Sequence, residues 1–103
     1  MESLDRQLLR YMRSLTATEI QNRLMRLSDR DIALSVLNIE EEERNFVISF
    51  LGKKKRERVT QELSYIRGMR IQYDQYRSAM QRVLDTFRKG GGSSRRGYIR
   101  PIR

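Results

Sequence analysis

Residues that stop helices are almost missing between positions 2 and 88. The single proline is Pro101, and the glycines of this stretch are Gly52 and Gly68. Proline breaks a helix because it lacks an amide hydrogen, and glycine weakens one through its backbone freedom. No useful length of alternating apolar and polar residues occurs, so β-strands are not expected. The sequence therefore predicts an all-α domain over residues 1–89, followed by a separate segment of residues 90–103.

Apolar side chains recur at helical spacing along this stretch and predict about six helices, of which the last is longer. The short helices of the first half, joined by minimal turns, are typical of an armadillo-like stack. The expected buried stripes are Leu4, Leu8, Tyr11 and Leu15; Ile20, Leu24 and Leu27; Ile32, Val36 and Leu37; Phe46, Val47, Phe50 and Leu51; Val59, Leu63 and Ile66; and Tyr73, Tyr76, Met80, Val83 and Phe87. The last stripe could form the core or a dimer seam, since its spacing also suits a coiled coil.

Polar residues between the first stripes predict helix starts. Thr16 and Glu19 have the spacing of a capping box, in which each side chain binds the backbone amide of the other. Ser28 and Asp31 repeat the pattern twelve residues later. Asn38 is the expected cap of the next helix.

Negative charge and glycine mark the next boundaries. Residues 40–43 are four glutamates, and the dipole at a helix N-terminus stabilises anions there. A divalent metal site is the weaker interpretation, because consecutive helical residues point in different directions. Gly52 is expected to end this helix. Gly68 is expected to end the following one in a left-handed conformation, which costs glycine nothing.

Composition narrows the function classes. The 103 residues include no histidine, cysteine or tryptophan, which excludes Cys/His zinc sites, imidazole and thiol catalysis, and disulfides. There is no P-loop and no glycine-rich loop between strand and helix, so neither an enzyme nor a cofactor is expected. The lack of cysteine, of an apolar run of about 20 residues and of a signal peptide predicts a cytoplasmic protein without a transmembrane segment.

Positive charge is concentrated at the C-terminus. The net charge is +9, and residues 88–103 contribute six basic residues and no acid. Glycines 90–92 with the two following serines are typical of a flexible linker. The expected anion-binding residues of this basic tail are Arg95, Arg96, Tyr98, Arg100 and Arg103. Disorder, binding to phosphates with stacking on Tyr98, and docking on an anionic membrane remain open interpretations.

The most informative helix is the charged one between Gly52 and Arg70, GKKKRERVTQELSYIRGMR. Its apolar stripe leaves the opposite face to polar residues, and the pattern fits either a contact surface or a solvated face. The candidate partner-binding residues are Lys54, Arg58, Gln61, Glu62, Tyr65 and Arg70.

From about Gln7 to Gln72, the sequence resembles the C-terminal domain of the flagellar motor switch protein FliG. The resemblance is carried by TATEIQNRLMRLSDRDIALSVL, an acidic helix start, and GKKKRERVTQELSYIRGMRIQ. The matching positions are Ile20-Gln21, Gly52-Lys53-Lys54, Gln61-Glu62-Leu63 and Gly68-Met69-Arg70. No single motif is specific, and the resemblance lies in the maintained spacing.

The resemblance implies an armadillo-like stack with a charged ridge that faces the cytoplasmic loop of the flagellar stator. It assigns Lys54 to a basic ridge position, Glu62 to an acidic one, and Arg70 to the arginine after the turn. Gln61 stands where the family has an acid, and Leu37 where it usually has a base. The family's N-terminal and middle domains have no counterpart within these 103 residues. The implied role is a standalone, non-enzymatic interaction module for bacterial motility, at the cytoplasmic face of the basal body.

Two alternatives stay open. The module could self-associate, as family members do in a ring. It could instead be a basic helical module that binds nucleic acid non-specifically through residues 53–55 and the C-terminal tail. Nuclease treatment and deletion of residues 90–103 would separate nucleic-acid binding from binding to switch-complex or stator proteins.

Overall fold

A computed structural model describes residues 2–89. This part of the chain forms six helices and no strand, which confirms the all-α prediction. The helices are α1 Leu4–Arg13, α2 Ala17–Met25, α3 Asp29–Ser35, α4 Glu41–Ile48, α5 Lys53–Arg67 and α6 Tyr73–Lys89. The last helix is indeed the longest, with 17 residues. The armadillo-like arrangement stays a prediction, and the predicted tail with Arg95, Arg96, Tyr98, Arg100 and Arg103 lies outside the described residues.

Side-chain caps start α2 and α3 where the sequence predicts. The Thr16 hydroxyl accepts from the Glu19 amide at 3.2 Å, and the Thr16 amide donates to the Glu19 carboxylate at 2.9 Å. These bonds hold the pKa of Glu19 below its ordinary value, and the bond from the Thr16 amide has the larger effect. The Ser28 hydroxyl accepts from the Asp31 amide at 3.1 Å. Both helix starts are therefore local features of the sequence.

Two predicted boundaries of α4 are wrong. Its N-cap is Glu40, not Asn38, because the chain makes a further turn that buries Ile39. The Arg44 guanidinium closes this turn by donating to the carbonyls of Val36 at 3.1 Å and Ile39 at 2.8 Å. At the other end, α4 stops at Ile48, and Gly52 is the N-cap of α5.

Gly68 does not adopt the predicted left-handed conformation. Its φ of −86° and ψ of 0° are right-handed. The end of α5 is closed by tight backbone bonds from the Gly68 amide to the Tyr65 carbonyl at 3.2 Å and from the Met69 amide to the Ile66 carbonyl at 3.1 Å. A right-handed turn therefore satisfies these carbonyls without glycine's special freedom.

Replacing Gly68 by alanine is expected to raise the free energy of unfolding by about 0.4–1 kcal/mol, because alanine restricts the unfolded chain and fits this conformation. A Cβ at this position would lie 3.6 Å from the Tyr65 carbonyl oxygen, an ordinary contact. Urea unfolding followed by circular dichroism measures the change. A destabilised alanine variant would show that the backbone needs glycine here.

One hydrophobic core runs through the six helices. Helix α3 packs against α5 and α6, and α1 and α2 also pack against α6. The largest side chains with less than 2% exposure are Leu8, Leu9, Met12, Ile20, Leu24, Ile32, Ile66, Met80, Leu84, Val36, Val47 and Val59. No helix within residues 2–89 is long and apolar enough to cross a membrane.

The predicted stripe of α6 is right at its end and wrong at its start. Met80, Val83 and Phe87 are buried, and Tyr76 is partly buried. Tyr73, however, is 66% exposed. The buried positions of α6 begin only at Ala79, so its first turn extends beyond the core. This leaves an aromatic side chain on the surface.

Candidate functional site

Helix α5 is held in place by one apolar stripe. Val59, Leu63 and Ile66 are at most 3% exposed, as their spacing predicts, and they pack this helix on the core next to α3. The opposite stripe consists of Lys54, Arg58, Gln61 and Tyr65, all exposed. We call these four residues the outer face of α5. At a rise of about 1.5 Å per residue, it is about 17 Å long.

The six residues predicted to bind a partner have different roles in the structure. Glu62 is partly buried, and its carboxylate accepts from the Arg30 guanidinium at 3.0 Å. The Arg58 Nε donates to Asp29 at 3.0 Å, although 53% of the Arg58 side chain stays exposed. Glu62 therefore connects α5 to α3 through Arg30. Arg58 makes a separate contact with Asp29 and is otherwise exposed to solvent. The fully outward members are Lys54, Gln61, Tyr65 and Arg70.

Lys55 is a structural lysine within a run of surface cations. Only 10% of its side chain is exposed, and its Nζ donates to the Leu27 carbonyl at 2.8 Å and to Asp29 at 2.9 Å. Burial raises the pKa of Asp29, but the hydrogen bonds and charges of Lys55 and Arg58 outweigh it and lower that pKa. Sequence reasoning missed this role, because the run of residues 53–56 does not show which cation points inward.

Cations that form no ion pair are concentrated near α5. Elsewhere in residues 2–89, many arginines bind carboxylates, as Arg6 and Arg13 do with Glu43 and Arg82 does with Asp31. Six exposed cations along α5, the following turn and the start of α6 form no ion pair with any residue of the described part of the chain: Lys53, Lys54, Arg56, Arg67, Arg70 and Arg77. Their charge is available to an anionic partner.

Large apolar side chains are exposed in the same part of the molecule. Tyr65 is 63% exposed, Met69 41% and Tyr73 66%. Tyrosine and methionine are enriched at protein interfaces, where they add contact area that water would otherwise cover. The end of α5 therefore combines apolar anchors with unpaired positive charge.

One of the glutamates at the start of α4 is engaged by arginines of α1. Glu43 is bound by Arg6 and Arg13. Within the described part of the chain, no three acidic side chains come together in a group that could hold a metal ion.

Comparisons of the chain with protein-family models, curated proteins and solved structures found no match. The resemblance to FliG therefore stays a prediction.

Proposed function

We propose that the chain is a non-enzymatic interaction module that binds an acidic surface of a partner protein through the outer face of α5 and the turn after it. The observation that carries the proposal is the coincidence of unpaired cations with exposed Tyr65 and Met69. Exposed apolar side chains grouped beside polar and charged residues are more typical of an interaction site than of a solvated helix.

The two kinds of side chain have separate tasks in this contact. Lys54 and Arg70 attract acidic groups during the approach of the partner, which raises the association rate at low salt. Tyr65 lies on the same outer face as Lys54, so it supplies apolar contact area once the surfaces meet. Because Glu62 is held by Arg30, the contact depends on the cations and the tyrosine.

The resemblance to FliG suggests which partner supplies the acids. It points to switch-complex proteins or the cytoplasmic loop of the stator, at the cytoplasmic face of the flagellar basal body. In that assignment, Lys54 and Arg70 occupy ridge positions. Glu62 would help to set the position of α5 through Arg30, rather than pair directly with the partner.

Reversing two charges at once, with Lys54→Glu and Arg70→Glu, is expected to weaken partner capture about tenfold or more without unfolding the domain. The measurement is a nuclease-treated pull-down from the native cell at low and moderate salt, with identification by mass spectrometry. Arg10→Glu is the control for a charge reversal elsewhere on the surface, because Arg10 is an exposed arginine on α1, although it pairs with Glu2. Circular dichroism checks that all variants keep their helicity.

Three outcomes would contradict the proposal: equal capture by the double variant and the wild type, an equal loss with Arg10→Glu, or a loss of helicity that accounts for the lost binding. Rotor or stator proteins among the captured partners would support the flagellar assignment.

Nucleic acid is the second candidate, and the start of α5 favours it. Among residues 2–89, Lys53, Lys54 and Arg56 form no ion pair. They lie in the first turn of α5, where the helix dipole disfavours positive charge. A phosphate backbone would relieve this repulsion. Parallel pull-downs with and without nuclease test this candidate. Capture that is seen only without nuclease, and that deletion of residues 90–103 abolishes, would replace the first proposal by this one.

A further inference from the structure

A groove lies between the start of α1 and the start of α6, apart from the outer face of α5. Its volume is about 390 Å³, and its walls include Asp5 from α1 and Tyr73, Tyr76 and Arg77 from α6. None of the predicted partner-binding residues lines it. The groove therefore needs an explanation of its own.

One wall of the groove is aromatic. The ring centroids of Tyr73 and Tyr76 are 6.1 Å apart, and the two rings are tilted by 41°. Tyr73 is 66% exposed and Tyr76 partly buried. Burial, together with the nearby negative charge of Asp5, raises the pKa of Tyr76. Two aromatic rings thus lie close to a carboxylate at an open groove.

Two groups of opposite charge at the groove, Asp5 and Arg77, have no ion-pair partner within residues 2–89, whereas Glu2, which also lines it, pairs with Arg10. Oδ1 of Asp5 accepts from the Ser3 hydroxyl at 2.6 Å and from the Arg6 amide at 3.1 Å, which leaves Oδ2 for a ligand. An occupant with a cation for Asp5 and a carbonyl oxygen for Arg77 would bind both groups. A peptide with a basic side chain offers both, whereas a free ion offers only one.

We propose that this groove binds an arginine side chain within an extended segment of a partner protein. A guanidinium is planar, so it can stack on an exposed tyrosine ring while one of its N–H groups donates to a carboxylate oxygen, here Oδ2 of Asp5. Tyr73 provides the ring and Asp5 the carboxylate. Arg77 donates to a backbone carbonyl of the same segment, which fixes the direction of the peptide.

Nuclear magnetic resonance with the full chain tests this proposal. The probe is a capped Gly-Ser-Arg-Ser-Gly peptide, with lysine and glutamine versions for comparison. The arginine peptide is expected to shift signals around Tyr73, Tyr76 and Asp5 and to bind more tightly than the other two. Asp5→Asn and Tyr73→Ala should each weaken it about fivefold or more, in the range of one charged or cation–π contact.

Matched controls separate the groove from general charge effects. Asp74→Asn removes another exposed acid near the start of α6, and Tyr65→Ala removes an exposed tyrosine of α5. Neither should change peptide binding. Equal effects of Asp5→Asn and Asp74→Asn, equal binding of the three peptides, or shifts away from the groove would overturn the proposal.

One further result would name a different occupant. If replacing the arginines of residues 90–103 by glutamine shifts the groove signals when no peptide is present, the groove is occupied by the chain's own segment. That result would overturn the assignment to a partner protein.

Discussion

Replacing Ile32 by alanine is expected to lower the free energy of unfolding by about 2–5 kcal/mol, the largest single effect we predict. Ile32 is fully buried in α3, the helix that packs on both α5 and α6. The substitution removes apolar contacts and leaves a cavity where these helices meet. Since small domains are stable by only roughly 5–15 kcal/mol, the loss is a large part of the total.

Urea unfolding followed by circular dichroism measures this loss, and Met25→Ala is its control. Met25 has a similar volume to Ile32 but is 57% exposed, so its truncation should change stability by less than about 0.5 kcal/mol. Similar losses for the two variants would show that α3 is not the centre of the core.

The same variant helps to separate fold from function. Ile32→Ala weakens the support of α5 without touching its outer face, whereas the double variant Lys54→Glu and Arg70→Glu alters the proposed contact without touching the core. If the proposal is right, binding by Ile32→Ala should recover in conditions that restore its folded fraction. Binding by the charge-reversed variant should stay weak in the same conditions.

Helix positions were predictable because they depend on neighbours in the sequence. Val59, Leu63 and Ile66 come to lie on one side of the chain if α5 is helical. All three are buried in the structure. The caps at Thr16 and Ser28 act within three residues. Local interactions of this kind do not depend on how the helices pack.

The roles of individual charges were not predictable, because they depend on packing between helices. Lys54 and Lys55 are adjacent, yet one is exposed and the other binds Asp29. Glu62 seemed to belong to the contact face, but Arg30 of α3 engages it. Arg23 is only 6% exposed, although its sequence position gives no sign of this.

The groove was missed for a related reason. The spacing of Tyr73 and Tyr76 continues the apolar stripe of α6, so periodicity alone places both in the core. It cannot show where the core ends. Because α1 starts beside the first turn of α6, the packing leaves Tyr73 at a groove rather than under a neighbouring helix.

Replacing Asp29 by asparagine is expected to lower the free energy of unfolding by about 1–3 kcal/mol near neutral pH. The Asp29 carboxylate binds both the nearly buried Lys55 and Arg58. Without the Asp29 carboxylate, the Lys55 ammonium still donates to the Leu27 carbonyl, but it has no anionic partner. This loss lies at the lower end of the range expected for breaking a buried ion pair, because 28% of the Asp29 side chain is exposed.

The loss should depend on pH in a defined direction. The pKa of Asp29 is lower in the folded chain than its ordinary value, so its contribution is present above about pH 4 and disappears as the pH falls through the lower, folded pKa. Urea unfolding at about pH 7 and about pH 2 should therefore show a difference between wild type and Asp29→Asn that shrinks in acid.

Asp85→Asn is the control for this experiment. Asp85 pairs with Arg88 on the surface of α6, and half of its side chain is exposed, so its loss should cost less than about 1 kcal/mol. A difference for Asp29→Asn that persists unchanged in acid would mean that the side chain acts through its shape rather than its charge. In that case, the Asp29–Lys55 pair could not be what fixes α5 against the start of α3.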